Sequence, residues 1–192
     1  MSTASQTIRD EHSALRAMLQ SMLQLTRRGI GERPEQFFEV LRAMLFYIDE
    51  FPERSHHPKE TRFLFPKLAR AAPELAAVID RLEAEHASGE RRVRDLQHDL
   101  LGWQLVGDTR RTAFEQAVTD YVAFYLEHMR IEETKVLPAA ERLLSSADWA
   151  ELDEVFAAGR DPLAGGAVPA CYDRLFTRIV MSAPAPIGLG PA

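Results

Sequence analysis

Two short segments share a spacing suited to metal chemistry. His56-His57-Pro-Lys-Glu60-Thr-Arg-Phe-Leu-Phe-Pro66 and His128-Met-Arg-Ile-Glu132-Glu-Thr-Lys-Val-Leu-Pro138 each place a Glu four residues after a His, and a Pro six beyond that Glu. At about 100° per residue, side chains four apart lie on one helical face, one turn above the other, so each His–Glu pair reaches a common point. His12 and His86 fall on apolar stripes of their own. A lone histidine on an apolar face is usually a hydrogen-bonded core residue, and a lone His-x-x-x-Glu is common on helices. Four stripes that each carry an inward histidine, two of them with an inward carboxylate as well, are hard to assign to chance.

Ionised carboxylates are rarely buried without a partner, and no Lys or Arg shares the stripes of Glu60 and Glu132 close to them. A metal ion would supply the missing charge. Imidazole and carboxylate without thiolate suit iron, with zinc or manganese as substitutes, whereas calcium would call for an all-oxygen cage. Two carboxylates shared between two pairs of imidazoles would hold two ions and leave positions open to water or a small gas. The expected metal ligands are therefore His12, His56, Glu60, His86, His128 and Glu132.

Other residues stand beside this set with two readings each. His57 lies about 100° from His56, at the edge of its stripe, and the same geometry favours Glu132 over Glu133. Glu90, one turn past His86, is either a further ligand or a solvated carboxylate, so His57 and Glu90 are candidate additional ligands. Tyr47, Tyr121 and Tyr125 read as core aromatics or as hydrogen-bond donors in a layer behind the ligands. Gly89, on the His86 stripe, allows close helix packing or leaves a pocket beside the metal. His98 falls off the apolar face and reads as solvated.

Elements able to position these residues follow from periodicity. Apolar residues recur at spacings of three and four, and no run alternates with period two. A first helix over residues 7–28 carries Ile8, His12, Leu15, Leu19, Met22 and Leu25, with Gly29 and Gly31 as a stop. A second begins near Pro34 and carries Leu41, Leu45, Ile48, His56, Glu60, Phe63 and Leu64, with Pro52 expected to kink or divide it. The third follows Pro73 and runs through Leu75, Ile79, Leu82, His86, Val93, Leu96, Leu100 and Trp103. After Gly107-Asp108-Thr109 the fourth carries Phe114, Val118, Tyr121, Tyr125, His128, Glu132 and Val136.

A short fifth helix is expected after Ser146, with Trp149, Leu152 and Phe156 inward. Residues 171–182 could form one more amphipathic piece, and SAPAPIGLGPA reads as an extended or disordered end. The expected fold is all-α: an up-down-up-down four-helix bundle with a short extra C-terminal helix and tail. Its boundaries are 1–158 for the bundle with the fifth helix, and 159–192 for the Gly/Pro-containing tail.

Composition agrees with a single globular unit: 192 residues, 46% apolar and 27% charged. The formal net charge of -6 offers no broad positive field, which argues against nucleic acid and against a membrane surface as partners. No run approaches the roughly 18 apolar residues of a membrane span. MSTASQTIRDEH has no apolar stretch of signal-peptide type. The single cysteine, Cys171, excludes an intrachain disulfide, a Cys-based zinc site and an iron–sulfur cluster, and a reducing cytoplasm fits best.

These residues resemble the hemerythrin-like proteins, also called HHE cation-binding domains, over roughly residues 7–142. The resemblance rests on Asp10-Glu11-His12, on His56-His57-Pro-Lys-Glu60 with Leu64-Phe65-Pro66, on Glu85-His86, and on His128-Met-Arg-Ile-Glu132-Glu133 with Leu137-Pro138. It implies a four-helix bundle around a non-haem di-iron centre of two iron ions with an oxo or hydroxo bridge. His12 and His56 would serve one iron, His86 and His128 the other, and Glu60 and Glu132 would bridge.

The chain departs from the oxygen-carrying members at two points. Where they have a second histidine one turn along the third helix it has Glu90, and where they have an aspartate five after the last histidine it has Glu133. A Glu ligand would donate more charge and favour the ferric state, while His57 would restore a fifth imidazole. The resemblance thus implies binding of O2, NO or peroxide for sensing, buffering or stress protection. The alternatives are a di-iron enzyme that reduces peroxide or NO or repairs iron centres, with a redox partner, and a metal-free helical interaction bundle. A ferritin-like site would need two Glu-x-x-His motifs; only Glu83-Ala-Glu-His86 has that spacing, and Tyr125 stands where its counterpart needs Glu.

Overall fold

The computed structural model describes residues 2–190, and every regular element among them is helical. Helix α1 spans Thr3–Arg28; the Ser2 hydroxyl accepts the Ser5 N–H at its start, and Gly29 ends it at φ 75°, a conformation that favours glycine. Helix α2 covers residues 34–71, α3 is Ala76–Val106, and α4 covers residues 111–143. Helix α5 is Ser146–Ala157, opened by a reciprocal Ser145–Asp148 capping box, and α6 is Asp173–Ser182.

The four long helices close a ring in which α1 packs on α2 and α4, and α3 packs on α2 and α4. The short α5 lies against α1, and α6 against α2. Apolar packing forms two clusters. One gathers Leu15, Met22, Leu41, Met44, Leu96, Trp103 and Phe114. The other gathers Ile8, Leu64, Phe65, Ile79, Leu82, Val136 and Phe156. Along each long helix the histidines fall between residues of these two clusters, so the polar cluster is walled by apolar side chains on both sides.

The second and fourth helices are not uniform. α2 is α-helical over Pro34–Ile48, widens to π-helical turns over Asp49–His56 and Glu60–Leu64, and returns to α-helix at Phe65–Ala71. α4 does the same over Glu132–Val136. Each wide turn closes just ahead of a proline: His57 N–H bonds the Pro52 carbonyl, Phe65 N–H that of Glu60, and Leu137 N–H that of Glu132. Pro58, Pro66 and Pro138 cannot donate to the carbonyl four residues back and crowd it, so the preceding turn opens by one residue. The repeated His-x-x-x-Glu with its following proline therefore builds the same local geometry twice.

The burial pattern matches most of the expected stripes: Leu75 and Trp149 are only half-buried, and Phe63 is half-buried while Phe65 takes the core position that the stripe gave it. The widened turn over Glu60–Leu64 shifts the register there. Beyond α5 the chain does not leave the bundle. Phe176, Ile179 and Ala183 join the larger core cluster, the Ile187 N–H donates to the Ser21 hydroxyl at 3.1 Å, and Leu189 N–H to the Val180 carbonyl at 2.7 Å. The extended end expected of SAPAPIGLGPA is thus folded back as far as residue 190; its last two residues lie outside the described ones.

Candidate metal centre

Six residues converge at mid-bundle: His12 from α1, His56 and Glu60 from α2, His86 from α3, and His128 and Glu132 from α4. All are buried. The Glu132 carboxylate lies 3.3 Å from His12 Nε2 and 3.2 Å from His128 Nε2, and Glu60 lies 3.3 Å from His56 Nε2 and 3.6 Å from His86 Nε2. His57 joins them. Its ring stands with those of His86 and His128, and one nitrogen from each lies within 4.8 Å of the others, as do one nitrogen each from His12 and His56 and a carboxylate oxygen of Glu60. The wide turn over Asp49–His56 rotates successive residues less about the helix axis, so His56 and His57 both face inward, where a regular helix would leave His57 at the edge.

Every one of these five rings is held from behind. The Nδ1 atom of His56 faces Glu11 at 2.6 Å, that of His12 faces Glu133 at 3.1 Å, that of His57 faces Glu53 at 3.1 Å and that of His128 faces Glu85 at 2.8 Å. Thr61 Oγ1 stands 2.8 Å from His86 Nδ1. A carboxylate can only accept, so four of the rings donate Nδ1–H outward and turn Nε2 to the centre, the arrangement that orients metal-bound histidines. Spacing alone gave Glu11, Glu53, Glu85 and Thr61 no role. A signal was present in the Glu-His pairs at 11–12 and 85–86 and in the Glu53–His57 spacing of four.

At the centre the donors lack hydrogen-bond partners. Both carboxylate oxygens of Glu60 and of Glu132, and Nε2 of His56, are buried without a hydrogen bond. His86 Nε2 and His128 Nε2 face each other at 3.1 Å, an approach of lone pairs that a proton or a cation must bridge. Buried anionic oxygens without donors are costly, and a cation shared among them removes that cost. The donor set of imidazole nitrogens and carboxylate oxygens fits a first-row transition metal.

The charge pattern points the same way. Burial opposes charge on His56, but Glu60 and Glu11 outweigh it and hold the ring well above the usual histidine range. Burial is likewise outweighed at His128, raised to about 10 by Glu132 and Glu85, and at His12, raised by Glu132 and Glu133. Burial and the neighbouring charge of His128 push His57 well below the usual range, and burial together with His57 lowers His86 to about 4. In the metal-free chain, protons on some rings balance the central carboxylates while the His57–His86 pair stays neutral.

The remaining expected residues separate. Glu90 is half exposed on the outside of α3 and pairs with Arg94 at 2.8 Å, so it is not among the clustered groups; the side of α3 that carries it turns away from the bundle axis. Tyr121 and Tyr125 both donate to Glu53, the former at 3.2 Å, and so act behind His57. Burial pushes both phenols well above their usual range, so both remain donors. Gly89 leaves the room for this group: a Cβ there would stand 2.2 Å from the Tyr125 hydroxyl and 2.5 Å from Glu53. Tyr47 is more remote, donating to Asp161. Glu133 turns from the centre to His12 Nδ1 and Arg16, which leaves Glu132 facing it.

A helical bundle that buries imidazoles and carboxylates from all four helices around one point is the architecture of a cation-binding protein. The hemerythrin HHE cation binding domain matches residues 3–140, and the chain belongs to that family. No curated protein matches the chain. No helix among the described residues is long and apolar enough to cross a membrane.

Proposed function

We propose that the chain is a non-haem di-iron protein that binds O2, NO or a related small oxidant for sensing, buffering or stress protection in the cytoplasm. The observation that carries this reading is the set of orphaned oxygens of Glu60 and Glu132 between two groups of inward-facing rings. His12 and His56 would serve one ion, His57, His86 and His128 the other, and Glu60 and Glu132 would bridge them. A pair of redox-active ions there would supply coordination positions for a small ligand.

What the chain itself contributes is orientation, neutrality and dryness. Glu11, Glu53, Glu85 and Glu133 hold ring protons at Nδ1, which leaves Nε2 basic and aimed. Two bridging carboxylates offset part of the charge of two divalent ions without a cationic side chain at the centre. Phe65 lies parallel to the His86 ring at 5.4 Å and Phe156 stands on the edge of His56, so apolar groups seal two sides and admit a small neutral ligand more readily than an ion.

Metal analysis by mass spectrometry on tag-free protein, with absorption spectra recorded anaerobically and then in air, tests the reading. About two irons per chain and an air-dependent near-ultraviolet band, both lost in folded His56→Ala and His128→Ala proteins, are expected. No metal after anaerobic Fe(II) reconstitution would overturn it. Turnover of peroxide or NO with an electron donor would instead mark an enzyme.

A further inference from the structure

The turn after α5, residues 158–166, lies beyond the region that matches the family, yet it is fastened to the supports of the metal cluster at three points. The Arg160 guanidinium stands 2.5 Å from the Asp10 carboxylate, and the Asp161 backbone N–H donates to Glu11 Oε1 at 2.9 Å. The Lys59 ammonium donates to the Ala158 and Gly159 carbonyls at 2.7 and 3.3 Å. Asp10 and Glu11 immediately precede His12, and Lys59 immediately precedes Glu60.

Asp161 is buried, and both of its carboxylate oxygens are engaged. Oδ1 accepts the Leu163 N–H at 2.8 Å, closing the turn on itself, and Oδ2 accepts the Tyr47 hydroxyl proton. A turn closed in this way has one backbone conformation, and in it the Asp161 N–H points at Glu11. Glu11 uses its other oxygen to take the His56 ring proton at 2.6 Å. A continuous line of hydrogen bonds therefore runs from Tyr47 through Asp161 and Glu11 to a ring that faces the cluster.

We infer that Asp161 is a positioning residue for the metal site: its turn fixes Glu11, and Glu11 fixes the tautomer and the angle of His56. The effect on metal affinity rests on the proposed function, whereas the setting of the His56 ring exists in the metal-free chain. Without the Asp161 side chain the turn loses the bonds to Leu163 and Tyr47 that hold its backbone N–H on Glu11 Oε1, and the carboxylate is freer to turn away from Nδ1. Outer partners of metal-bound histidines are commonly worth 10- to 100-fold in affinity.

The test uses the full chain with Asp161→Ala, Asp161→Asn and Glu11→Gln, read two ways. Nitrogen-15 NMR of the histidine rings is recorded on metal-free protein, and Fe(II) affinity is measured by anaerobic competition with a chelator. Asp161→Ala and Glu11→Gln are expected to move the His56 ring signals, leave those of His128 in place, and weaken Fe(II) binding about 10-fold or more. Asp161→Asn is expected to stay near wild type on both, because its amide oxygen still accepts the Leu163 N–H. Unchanged His56 signals or unchanged affinity in Asp161→Ala would overturn the inference, as would an Asp161→Asn protein as impaired as Asp161→Ala. Should Asp161→Ala fail to fold, Asp161→Ser, a smaller change whose hydroxyl can still accept the Leu163 N–H but cannot also engage Tyr47, is read in its place, and unchanged His56 signals there overturn the inference. Wild-type protein that binds no iron would defeat the proposed function, while the ring signals would still decide whether Asp161 sets His56.

Discussion

The imidazole rings of His57 and His86 are stacked, their centroids 4.3 Å apart and their planes 12° from parallel. They come from different helices, α2 and α3, and both face His128 on α4. Of the two candidate additional ligands, the cluster thus takes in His57 in exchange for Glu90, which pairs with Arg94 away from it.

That exchange predicts opposite outcomes for two substitutions. His57→Ala should lose one of the two irons, or bind it at least ~10-fold more weakly, when iron per chain is measured after anaerobic reconstitution. Glu90→Ala removes only an exposed pair with Arg94 and should leave iron content intact and stability within about 0.5 kcal/mol. Iron loss in Glu90→Ala with retention in His57→Ala would reverse the ligand assignment.

Gly89 offers a test of the layer behind His57. Glycine to alanine inside a helix ordinarily stabilises by up to about 1 kcal/mol. Here the added methyl would collide with the Tyr125 hydroxyl and Glu53, so Gly89→Ala should destabilise by roughly 1–3 kcal/mol in urea unfolding. A stabilised variant would show that the Tyr125–Glu53 group has slack.

Metal removal should be visible in the melting temperature. An ion bound only by the native chain stabilises it by mass action, about 2.7 kcal/mol at a hundredfold excess over Kd. For a chain of 192 residues that corresponds to a fall on the order of 5–10 °C on chelation. An unchanged melting temperature with full helicity would favour the metal-free bundle.

Asp161 gives the metal-free chain a specific pH dependence. Burial raises its carboxyl to about 6, against the opposing pull of Tyr47 and the Leu163 N–H. The folded chain then binds more protons than the unfolded one between about pH 4 and 6, so this group's contribution to stability falls as pH rises through that window. Asp161→Asn has no such proton to lose. Relative to wild type it should gain stability between pH 4.5 and 7, by up to about 2 kcal/mol, in denaturant unfolding of metal-free protein. A constant difference across that range would contradict the raised carboxyl.

Much of this was written in the order of residues, because local spacing and helical periodicity are themselves geometric facts. Stripes three and four apart determined four long amphipathic helices, and the same arithmetic turned His12, His56, His86, His128, Glu60 and Glu132 toward one axis; all six are buried there. Periodicity of a regular helix could not say that three prolines would open the turns before them, and so it left His57 at an edge and gave Phe63 a core place that Phe65 takes. Nor could it say which charges would meet. Glu53, Glu85 and Glu133 touch their histidines only because one particular helix lies alongside or one particular turn is wide, and Asp161 reaches Glu11 across 150 residues of chain. Facing direction is a property of one helix and is legible from its sequence. Partnership between charges is a property of the packed bundle, and only the tertiary structure decided it.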